Sequence, residues 1–254
     1  MEKRLTRERR NEIAQKLITD GKISASLLSK EYGVSVETIR KDLIWLETKG
    51  IAKKSYGGAI VSTELMEQNF LEKAIKNQQE KEQIAKKAAE LVHDGDIVIL
   101  DSGSTVFAIA KQLTLGKKNL TVFTNSLKAA QCLADANIKT YMLGGEVRTT
   151  SYASTGSWAV RNLSEIRANI AFLGTSGFQR RGGPCIENFN ESEVKNAIIR
   201  AANQVVVVAD GSKAHCDAMV QFAQWEEIDT LITDEKADPQ VLAVLEKKTK
   251  IILA

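Results

Sequence analysis

The sequence contains little proline and little cysteine, and it has no long hydrophobic run. Of 254 residues, 2 are proline and 3 are cysteine. The cysteines, Cys132, Cys185 and Cys216, are odd in number and widely spaced, which argues against a disulfide framework and a zinc site. No apolar run reaches the roughly 18–20 residues that cross a bilayer, and the charged N-terminus lacks an apolar signal core. We therefore expect a soluble protein of the reducing cytoplasm, with no metal, other cofactor or membrane partner.

Positive charge is concentrated near the N-terminus. Residues 1–60 contain 13 Lys and Arg against 8 Asp and Glu, whereas residues 61–254 contain 22 against 24. A chain of 254 residues has room for one or two domains. Because affinity for nucleic acid comes mainly from neutralising phosphates, this division predicts a basic domain that binds DNA and a nearly neutral domain that binds something else.

Two short helical patterns surround a glycine turn in the basic region. Ser24 is a suitable N-cap for a helix that carries Leu27, Leu28 and Tyr32, and Gly33 is suited to end it. Ser35 then caps a second helix. In that helix the helical spacing predicts a buried stripe formed by Val36, Ile39, Leu43 and Leu46. The opposite side near its N-terminal end carries Glu37, Thr38, Arg40 and Lys41, where a recognition helix contacts base edges.

The segment from Gly50 to Val61 has two short strand patterns around a basic turn, which is typical of a wing. An earlier helix, with an apolar stripe of Ile13, Leu17 and Ile18 after three arginines, would complete a winged helix-turn-helix and bring positive charge to phosphates. Helical hairpins with a glycine turn also occur in proteins that never bind DNA. The predicted DNA-binding residues are Ser35, Glu37, Thr38, Arg40, Lys41, Lys53, Lys54 and Tyr56, and the three arginines are Arg7, Arg9 and Arg10.

A polar segment separates the wing from a second region of alternating strands and helices. We predict a DNA-binding domain at 1–61, a linker at 62–79 and a second domain at 80–254, which opens with a helix at about 81–93. Continuous apolar runs predict buried strands, and the stretches between them predict crossover helices, so the fold class is α/β with a mostly parallel sheet. The predicted strands are 97–100, 120–123, 140–143, 170–173, 205–208, 230–232 and 251–253, and the predicted helices include 105–114, 126–136, 191–202 and 239–247.

Small polar residues follow several of these strands. In open parallel sheets the ligand lies outside the carboxyl ends of the strands, so these segments should converge. Glycines, hydroxyls and a helix N-terminus suit a phosphate, Lys213 adds positive charge, and Asp101, Asn125 and Glu193 suit sugar hydroxyls. The pattern predicts a site for a phosphorylated sugar. The segments are Asp101 to Thr105, Thr124 to Ser126, Gly144 and Gly145, Gly174 to Gly177, and Ala209 to Lys213.

Simpler interpretations of these residues exist. Small polar residues after strands commonly serve as turns and helix caps, and Lys213 is equally compatible with an ordinary surface lysine. His93 and His215 are far apart and lack a nucleophile nearby, so no catalytic triad is predicted.

These residues also carry a resemblance to a known family. The segment Arg10 to Val61 resembles the N-terminal domain of the DeoR family of bacterial regulators of sugar metabolism. It carries Thr38 to Leu43, Leu46-Glu47, Gly50 and Tyr56 to Ala59. The rest resembles that family's C-terminal sensor domain, which has a ribose-5-phosphate isomerase and CoA-transferase-like fold. The resemblance implies a regulator, usually a repressor, whose binding to double-stranded operator DNA is altered by a phosphorylated sugar or related metabolite.

The resemblance also implies which residues line or support the effector pocket. They are Asp101, Ser102, Gly103, Ser104, Thr105, Thr124, Asn125, Gly144, Gly145, Glu193, Lys195 and Lys213. Three positions depart from the family pattern, because Lys41 and Lys54 stand where arginine is usual and Tyr56 where histidine is common. Lysine lacks the bidentate fork of arginine, so these positions favour phosphate contact over base reading.

We expect a homodimer or homotetramer that presents paired winged helices to repeated half-sites. The competing class is an enzyme similar to sugar-phosphate isomerases with an added DNA-binding domain, in which Glu193, Asp101 and Lys213 would act as acid, base and electrostatic stabiliser. A third class is a scaffold that uses its small domain to bind protein. The identity of the effector and the sequence of the operator are left open.

Overall fold

The computed structural model describes residues 2–48, 51–61, 70–116 and 119–254. Contacts divide the chain into two compact units, Met1–Glu67 and Gln68–Ala254. No helix among the described residues is both long enough and apolar enough to span a membrane.

The first unit is a winged helix-turn-helix, as predicted. Ser24 is the N-cap of the second helix, and Gly33, with φ of 62°, is its C-cap. Such a left-handed conformation suits glycine, which is why the helix ends there. In chain order the described elements are α1 (Glu2–Asp20), β1 (Lys22–Ser24), α2 (Ala25–Tyr32), α3 (Val36–Thr48), β2 (Ala52–Ser55) and β3 (Gly58–Val61).

The wing contains a strand that we did not predict from the sequence. Strand β1 pairs antiparallel with β3, so that the sheet has the order β1-β3-β2. Lys53 and Lys54 lie on β2, whereas Tyr56 and Gly57 form the turn. The predicted motif residue Gly50 lies outside the described residues.

The core of this unit is apolar and includes the stripe predicted for the first helix. Ile13 and Leu17 are fully buried, as are Ile39 and Leu46 on α3. The side chain of Ile18 lies outside the part of the chain that is described.

The second unit is an α/β sandwich with a seven-stranded sheet, as predicted. The sheet consists of β4 (Ile97–Leu100), β5 (Thr121–Thr124), β6 (Lys139–Met142), β9 (Ala168–Gly174), β11 (Ala202–Val208), β13 (Thr230–Thr233) and β14 (Lys250–Leu253). All of its neighbouring strands pair in parallel, in the order β14-β13-β11-β9-β4-β5-β6. The helices of this unit are α4 (Phe70–Ile75), α5 (Gln78–Glu90), α6 (Ser104–Thr114), α7 (Leu127–Asp135), α8 (Ser157–Ser164), α9 (Phe189–Ala201) and α10 (Pro239–Leu245). Two small antiparallel pairs are formed by β7 (Glu146–Arg148) with β8 (Ala153–Thr155) and by β10 (Cys185–Ile186) with β12 (Val220–Gln221).

Each central strand divides its apolar residues between two cores. Val98 and Leu100 of β4 pack with helices α5 and α6 on one face, whereas Ile99 belongs to the cluster on the other face with residues of α9. Alternation along a strand places successive side chains on opposite faces. A strand with apolar residues at every position must therefore be covered on both sides, which explains the continuous apolar runs of the sequence.

The predicted linker 62–79 is correct at most in part. Residues 62–69 lie outside the described residues, but 70–79 contain α4 and the start of α5. Phe70 is buried and its ring packs edge-on against Phe107 of α6, with ring centroids 5.7 Å apart. This stretch therefore belongs to the second unit, where Phe70 anchors it in the core while Ile75 is exposed.

Cys185 on β10 should be chemically inert in the folded protein. Its side chain is fully buried, and this burial raises the pKa of its thiol to about 12. Since only the thiolate reacts with alkylating reagents, we expect Cys185 to be modified by iodoacetamide at about pH 8 at least ~100-fold more slowly than in the unfolded chain. Mass spectrometry of digests can follow each cysteine, with the partly exposed Cys132 as the internal reference. Equal labelling of Cys185 and Cys132 would contradict this prediction.

Candidate nucleic-acid interface and ligand site

Helix α3 exposes most of the polar residues predicted to meet DNA. The backbone N–H of Thr38 donates to the Oγ of Ser35 at 3.1 Å, so Ser35 caps the helix as expected. Glu37, Arg40 and Lys41 are exposed. Arg40 Nη1 lies 3.4 Å from a carboxylate oxygen of Glu37, and both side chains are largely in solvent. An ion pair of this kind is weak, so Arg40 can turn to another partner at little cost.

A groove of about 550 Å³ separates α3 from the wing. Arg40, Lys54 and Tyr56 line it together, whereas Lys41 and Lys53 are exposed elsewhere. The backbone N–H of Lys54 donates to the carboxylate of Glu47 at 3.0 Å, which ties the wing to the helix. The structure thus brings Arg40 of the helix together with Lys54 and Tyr56 of the wing on one surface.

One residue of the predicted apolar stripe lies on this surface. Val36 is 36 % exposed and, together with Leu43 and the 53 % exposed Ile44, forms an apolar floor of the groove. Val36 was wrongly predicted to be buried, because it lies in the first turn of α3 and lines the groove.

A buried carboxylate that we did not single out holds two of the N-terminal arginines. Asp42 is 1 % exposed and accepts hydrogen bonds from the Nε atoms of Arg9 at 2.8 Å and Arg10 at 2.7 Å. The guanidinium of Arg10 also lies 4.9 Å from the ring centre of Trp45. These two arginines therefore stabilise the packing of α1 on α3, and the expectation that positive charge there also neutralises phosphates stays a prediction. The detectable signal was an acid on the buried stripe, since a buried charge needs a partner.

In the second unit the predicted loops meet where the strand order reverses. After β4 the chain builds β5 and β6 on one side, and β9 begins the half of the sheet on the other side. The loops that follow β4 and β9 flank this switch point, which is where open α/β sheets bind ligands. They touch each other, because the backbone N–H of Gly174 donates to Asp101 Oδ2 at 3.2 Å.

Asp101 and Lys195 form a buried ion pair below these loops. Each side chain is 1 % exposed, and the Nζ of Lys195 donates to Asp101 Oδ2 and, at 2.8 Å, to the carbonyl oxygen of Gly174. Burial raises the pKa of Asp101, against the opposing effect of the Lys195 charge. Both residues are thus held in place by the protein itself and support the loops.

The loop after Asp101 leads into the uncapped N-terminus of a helix. Gly103 is the N-cap of α6, and no side chain accepts a hydrogen bond there. Ser102 and Thr105 are buried, whereas Gly103 and Ser104 are partly exposed. The first N–H groups of a helix and its dipole favour an anion.

The two residues predicted after β5 differ in what they can offer a ligand. The Oγ1 of Thr124 accepts from the N–H of Ser126 at 3.0 Å, so this fully buried hydroxyl shapes the turn. Asn125 is 1 % exposed, and its Nδ2 donates to the carbonyl oxygen of Ser154 at 3.4 Å. Its Oδ1 is buried without a hydrogen-bond partner among the described residues. A buried acceptor of this kind suits a donor from outside, such as a hydroxyl.

One glycine of the pair after β6 has a steric explanation. Gly145 has φ of 140°, and a Cβ at this position would lie 2.2 Å from the carbonyl oxygen of Thr155. Gly145 therefore allows the close passage of the β7–β8 hairpin. The N–H of Gly144 donates to Asn162 Oδ1 at 3.1 Å, and both glycines are exposed.

The structure does not bring the predicted Glu193 to the sheet edge. Glu193 is exposed on the outer face of the helix, where it lines a surface depression together with Arg161 of α8. Glu191 is instead 4 % exposed, and it accepts hydrogen bonds from Arg148 and, at 2.5 Å, from the hydroxyl of Ser151. Residues four apart share one face of a helix, so Glu191 and not Glu193 lies on the side of Lys195. That spacing was the signal in the sequence.

Lys213 lies on a short 3-10 helix that spans Gly211–His215 after β11. It is partly exposed, and its ammonium group has no hydrogen bond or ion pair among the described residues. Burial lowers the pKa of Lys81 on α5. The charge of Lys213 lowers this pKa further, whereas the charge of Asp210 raises it. Because its ammonium group is partly exposed and unpaired among the described residues, Lys213 is available to an anionic ligand.

Comparison with known families decides the identity. A family model described as the DeoR-like helix-turn-helix domain matches residues 9–65, and one described as the DeoR C-terminal sensor domain matches residues 76–235. The chain belongs to the DeoR family. This DeoR-family protein is thus a DNA-binding transcriptional regulator with an appended sensor domain.

Relatives of this DeoR-family protein bear the names of regulators. It is similar to the HTH-type transcriptional regulator GolR of Listeria innocua, with 38% identity over 231 residues that cover 90% of this chain and 91% of GolR. It is also similar to the glycerol-3-phosphate regulon repressor of Escherichia coli strain K12, with 30% identity over 239 residues and 94% of each chain covered. These relationships confirm the regulator and not the enzyme.

Among solved structures, the chain is similar to ribose 5-phosphate isomerase A from Methanocaldococcus jannaschii. The TM-score is 0.39 with 20% identity, and the match covers 54% of this chain and 55% of the isomerase.

Proposed function

We propose that this protein represses an operon of carbohydrate catabolism and that a phosphorylated sugar or related metabolite alters its affinity for operator DNA. The observation that supports a phosphorylated effector is the set of groups at the sheet edge, at the switch point. There the N-terminus of α6 follows a loop held by the buried Asp101 and Lys195 pair, and the ammonium of Lys213, unpaired among the described residues, lies on the 3-10 helix after β11. A relative named a glycerol-3-phosphate regulon repressor supports a phosphorylated effector.

We assign three of the groups at this edge to direct effector contact. The N–H groups of residues 103–105 and the charge of Lys213 would bind the phosphate. The free Oδ1 of Asn125 would accept a hydrogen bond from a sugar hydroxyl. Leu100 pairs with Thr124 in the sheet, so Asp101 and Asn125 follow at adjacent positions of neighbouring strands. Asp101, Lys195, Thr124 and the glycine pair would act as supports.

On the DNA side we propose that Arg40 reads a base edge while the wing lysines contact phosphates. Arginine recognises guanine with two hydrogen bonds, whereas lysine acts as a point charge. A homodimer or homotetramer would place two such surfaces on repeated half-sites, so that two modest interfaces act as one.

A thermal-shift screen of the full chain tests the effector class. We expect one sugar phosphate to raise the melting temperature by several degrees, because a ligand at 100 times its Kd stabilises the folded state by about 2.7 kcal/mol. The unphosphorylated sugar and inorganic phosphate, each alone, serve as controls for the two halves of the ligand. Lys213→Met should remove most of the shift, and Lys236→Met, which changes an exposed lysine outside the proposed site, should preserve it. Equal shifts with the unphosphorylated sugar, or none with any sugar phosphate, would refute the proposed effector class.

A further inference from the structure

Two series of side-chain hydrogen bonds connect the segment that follows residue 69 to the loops at the sheet edge. In the first, the Nζ of Lys73 on α4 donates to Glu187 Oε1 at 3.1 Å. The other carboxylate oxygen of Glu187 accepts from the hydroxyl of Ser176, in the loop after β9. Glu187 thus links α4 to Ser176 in the loop after β9.

The second series of hydrogen bonds also joins this segment to a serine through an acid, at the neighbouring loop. Asn77 Nδ2 donates to Asp210 Oδ1 at 2.8 Å and lies 3.3 Å from the hydroxyl of Ser212. Asp210 accepts from the hydroxyl and, at 3.3 Å, from the backbone N–H of that same serine. Ser212 directly precedes Lys213, which we assign to the effector phosphate.

The two acids are shielded from water, which strengthens these links. The side chain of Glu187 is 11 % exposed, and Asp210 is 2 % exposed. Burial alone would raise the pKa of Glu187, but the charge of Lys73 and the Ser176 hydroxyl together lower it. Glu187 is therefore ionised at neutral pH, and charge-assisted hydrogen bonds are the stronger kind.

The segment itself is held in one shape. The ammonium of Lys81 on α5 donates to the carbonyl oxygens of Lys73 and Lys76, which closes the turn between α4 and α5. At the other end the N–H of Phe70 donates to the carbonyl oxygen of Thr150 at 2.9 Å. These bonds tie both the turn and the start of α4 to the second unit.

We propose that Lys73 and Asn77 are positioning residues that transmit the occupancy of the effector site to the DNA-binding domain. This rests on the proposed function. A phosphate at the edge competes with Glu187 and Asp210 for the hydroxyls of Ser176 and Ser212, and its negative charge opposes the two carboxylates. Both effects change how firmly residues 70–77 are held, and this stretch continues through 62–69 to the winged helix-turn-helix.

A double-mutant cycle on the ligand-free full chain tests the links directly. The probe is a DNA duplex selected by the wild-type protein from random sequences, and its Kd is measured by fluorescence anisotropy. Ser212→Ala is introduced into wild type and into Asn77→Gly, which keeps the positive φ of 53° at this position. We expect Ser212→Ala to change the Kd about 3-fold or more in wild type and less than about 1.5-fold in the Asn77→Gly background.

The second link is tested in the same way with Ser176→Ala in wild type and in Lys73→Met. Because Lys73→Met leaves a buried carboxylate without its cation, Lys73→Arg provides a background that keeps the charge and should restore the wild-type response. Lys87→Met is the matched control, since it removes an exposed ion pair with Glu90 from the same helix as Lys81. Serine substitutions that change the Kd by equal factors in all backgrounds, or that leave it unchanged, would overturn the proposal.

A ligand arm separates this inference from the proposed effector class. The sugar phosphate with the largest thermal shift is added, and we expect it to change the wild-type Kd for DNA by about 5–150-fold. In Lys73→Met with Asn77→Gly, that factor should fall towards one while the thermal shift persists. An undiminished factor contradicts the proposal. If no sugar phosphate binds at all, the proposed effector class fails, and the ligand-free cycle still decides the role of the two links.

Discussion

Lys195→Met is expected to lower the free energy of unfolding of the sensor domain by about 3–5 kcal/mol, because it leaves the Asp101 carboxylate buried without its cation. In a unit of this size that corresponds to a fall of roughly 6–20 °C in melting temperature. Met keeps the length of the lysine stem, so the loss reports the charge and not a cavity. Denaturant unfolding of the full chain, followed for the second unit, measures it.

The effect should depend on pH in a defined direction. Burial already raises the pKa of Asp101, and removing the cation raises it further. A carboxyl group whose pKa is higher in the folded state than in the unfolded state favours folding when protonated, and that stability is lost as the pH rises through the folded-state pKa. The cost of Lys195→Met should therefore grow as the pH rises above the ordinary pKa of an aspartate.

Two further variants make this prediction specific. Asp101→Asn added to Lys195→Met should recover part of the loss, because the buried charge is then removed with its partner. Lys87→Met, which breaks an exposed pair with Glu90 on α5, should change stability by less than ~0.5 kcal/mol. A Lys195→Met protein as stable as the Lys87→Met control would show that the buried pair contributes nothing.

Arg40→Ala is expected to weaken binding to the selected operator duplex by about 5–150-fold, or roughly 1–3 kcal/mol, the range for a bidentate contact to a base. Arg40 is suited to this role because it lines the groove between α3 and the wing and is held only by a weak pair with Glu37. Anisotropy titrations against the selected duplex and against scrambled duplexes measure both affinity and sequence preference.

A wing lysine provides the contrast. Lys54→Ala should weaken binding to all duplexes alike and reduce the slope of log Kd against log salt by about 0.9, since it removes one phosphate contact. Arg161→Ala on α8 is the matched control in the other unit, where the affinity for DNA should not change. Unchanged affinity of Arg40→Ala would count against α3 as the recognition helix, and a loss equal for all sequences would identify Arg40 as a phosphate contact.

Local features of the sequence predicted the elements of both units well. Ser24, Gly33 and Ser35 bound the helices as expected because capping depends on neighbours within one turn. The apolar runs predicted the sheet because strands covered on both faces exclude polar residues. Strand β1 was not predicted, because three residues are too few to show a strand's alternation of polar and apolar side chains. Only their pairing with β3 defines them as a strand.

Within the site, local features predicted the loops but not the roles of their members. Whether Glu191 or Glu193 faces Lys195 depends on the rotation of α9 about its own axis. The packing of the buried face of α9 fixes that rotation. Gly145 was predicted from the family pattern as a pocket residue, whereas the backbone of Thr155 supplies the steric reason for a glycine.

The amino-acid sequence by itself determined a basic winged helix-turn-helix followed by a parallel α/β domain, because charge distribution, caps and hydrophobic periodicity act over short stretches of chain. Only the tertiary structure decided which charges meet. Asp101 and Lys195 are 94 residues apart, and Asn77 and Asp210 are 133 apart, so no local pattern links them. Ion pairs and hydrogen bonds act over a few ångströms in space, and distances of that kind exist only once the sheet and its helices have packed.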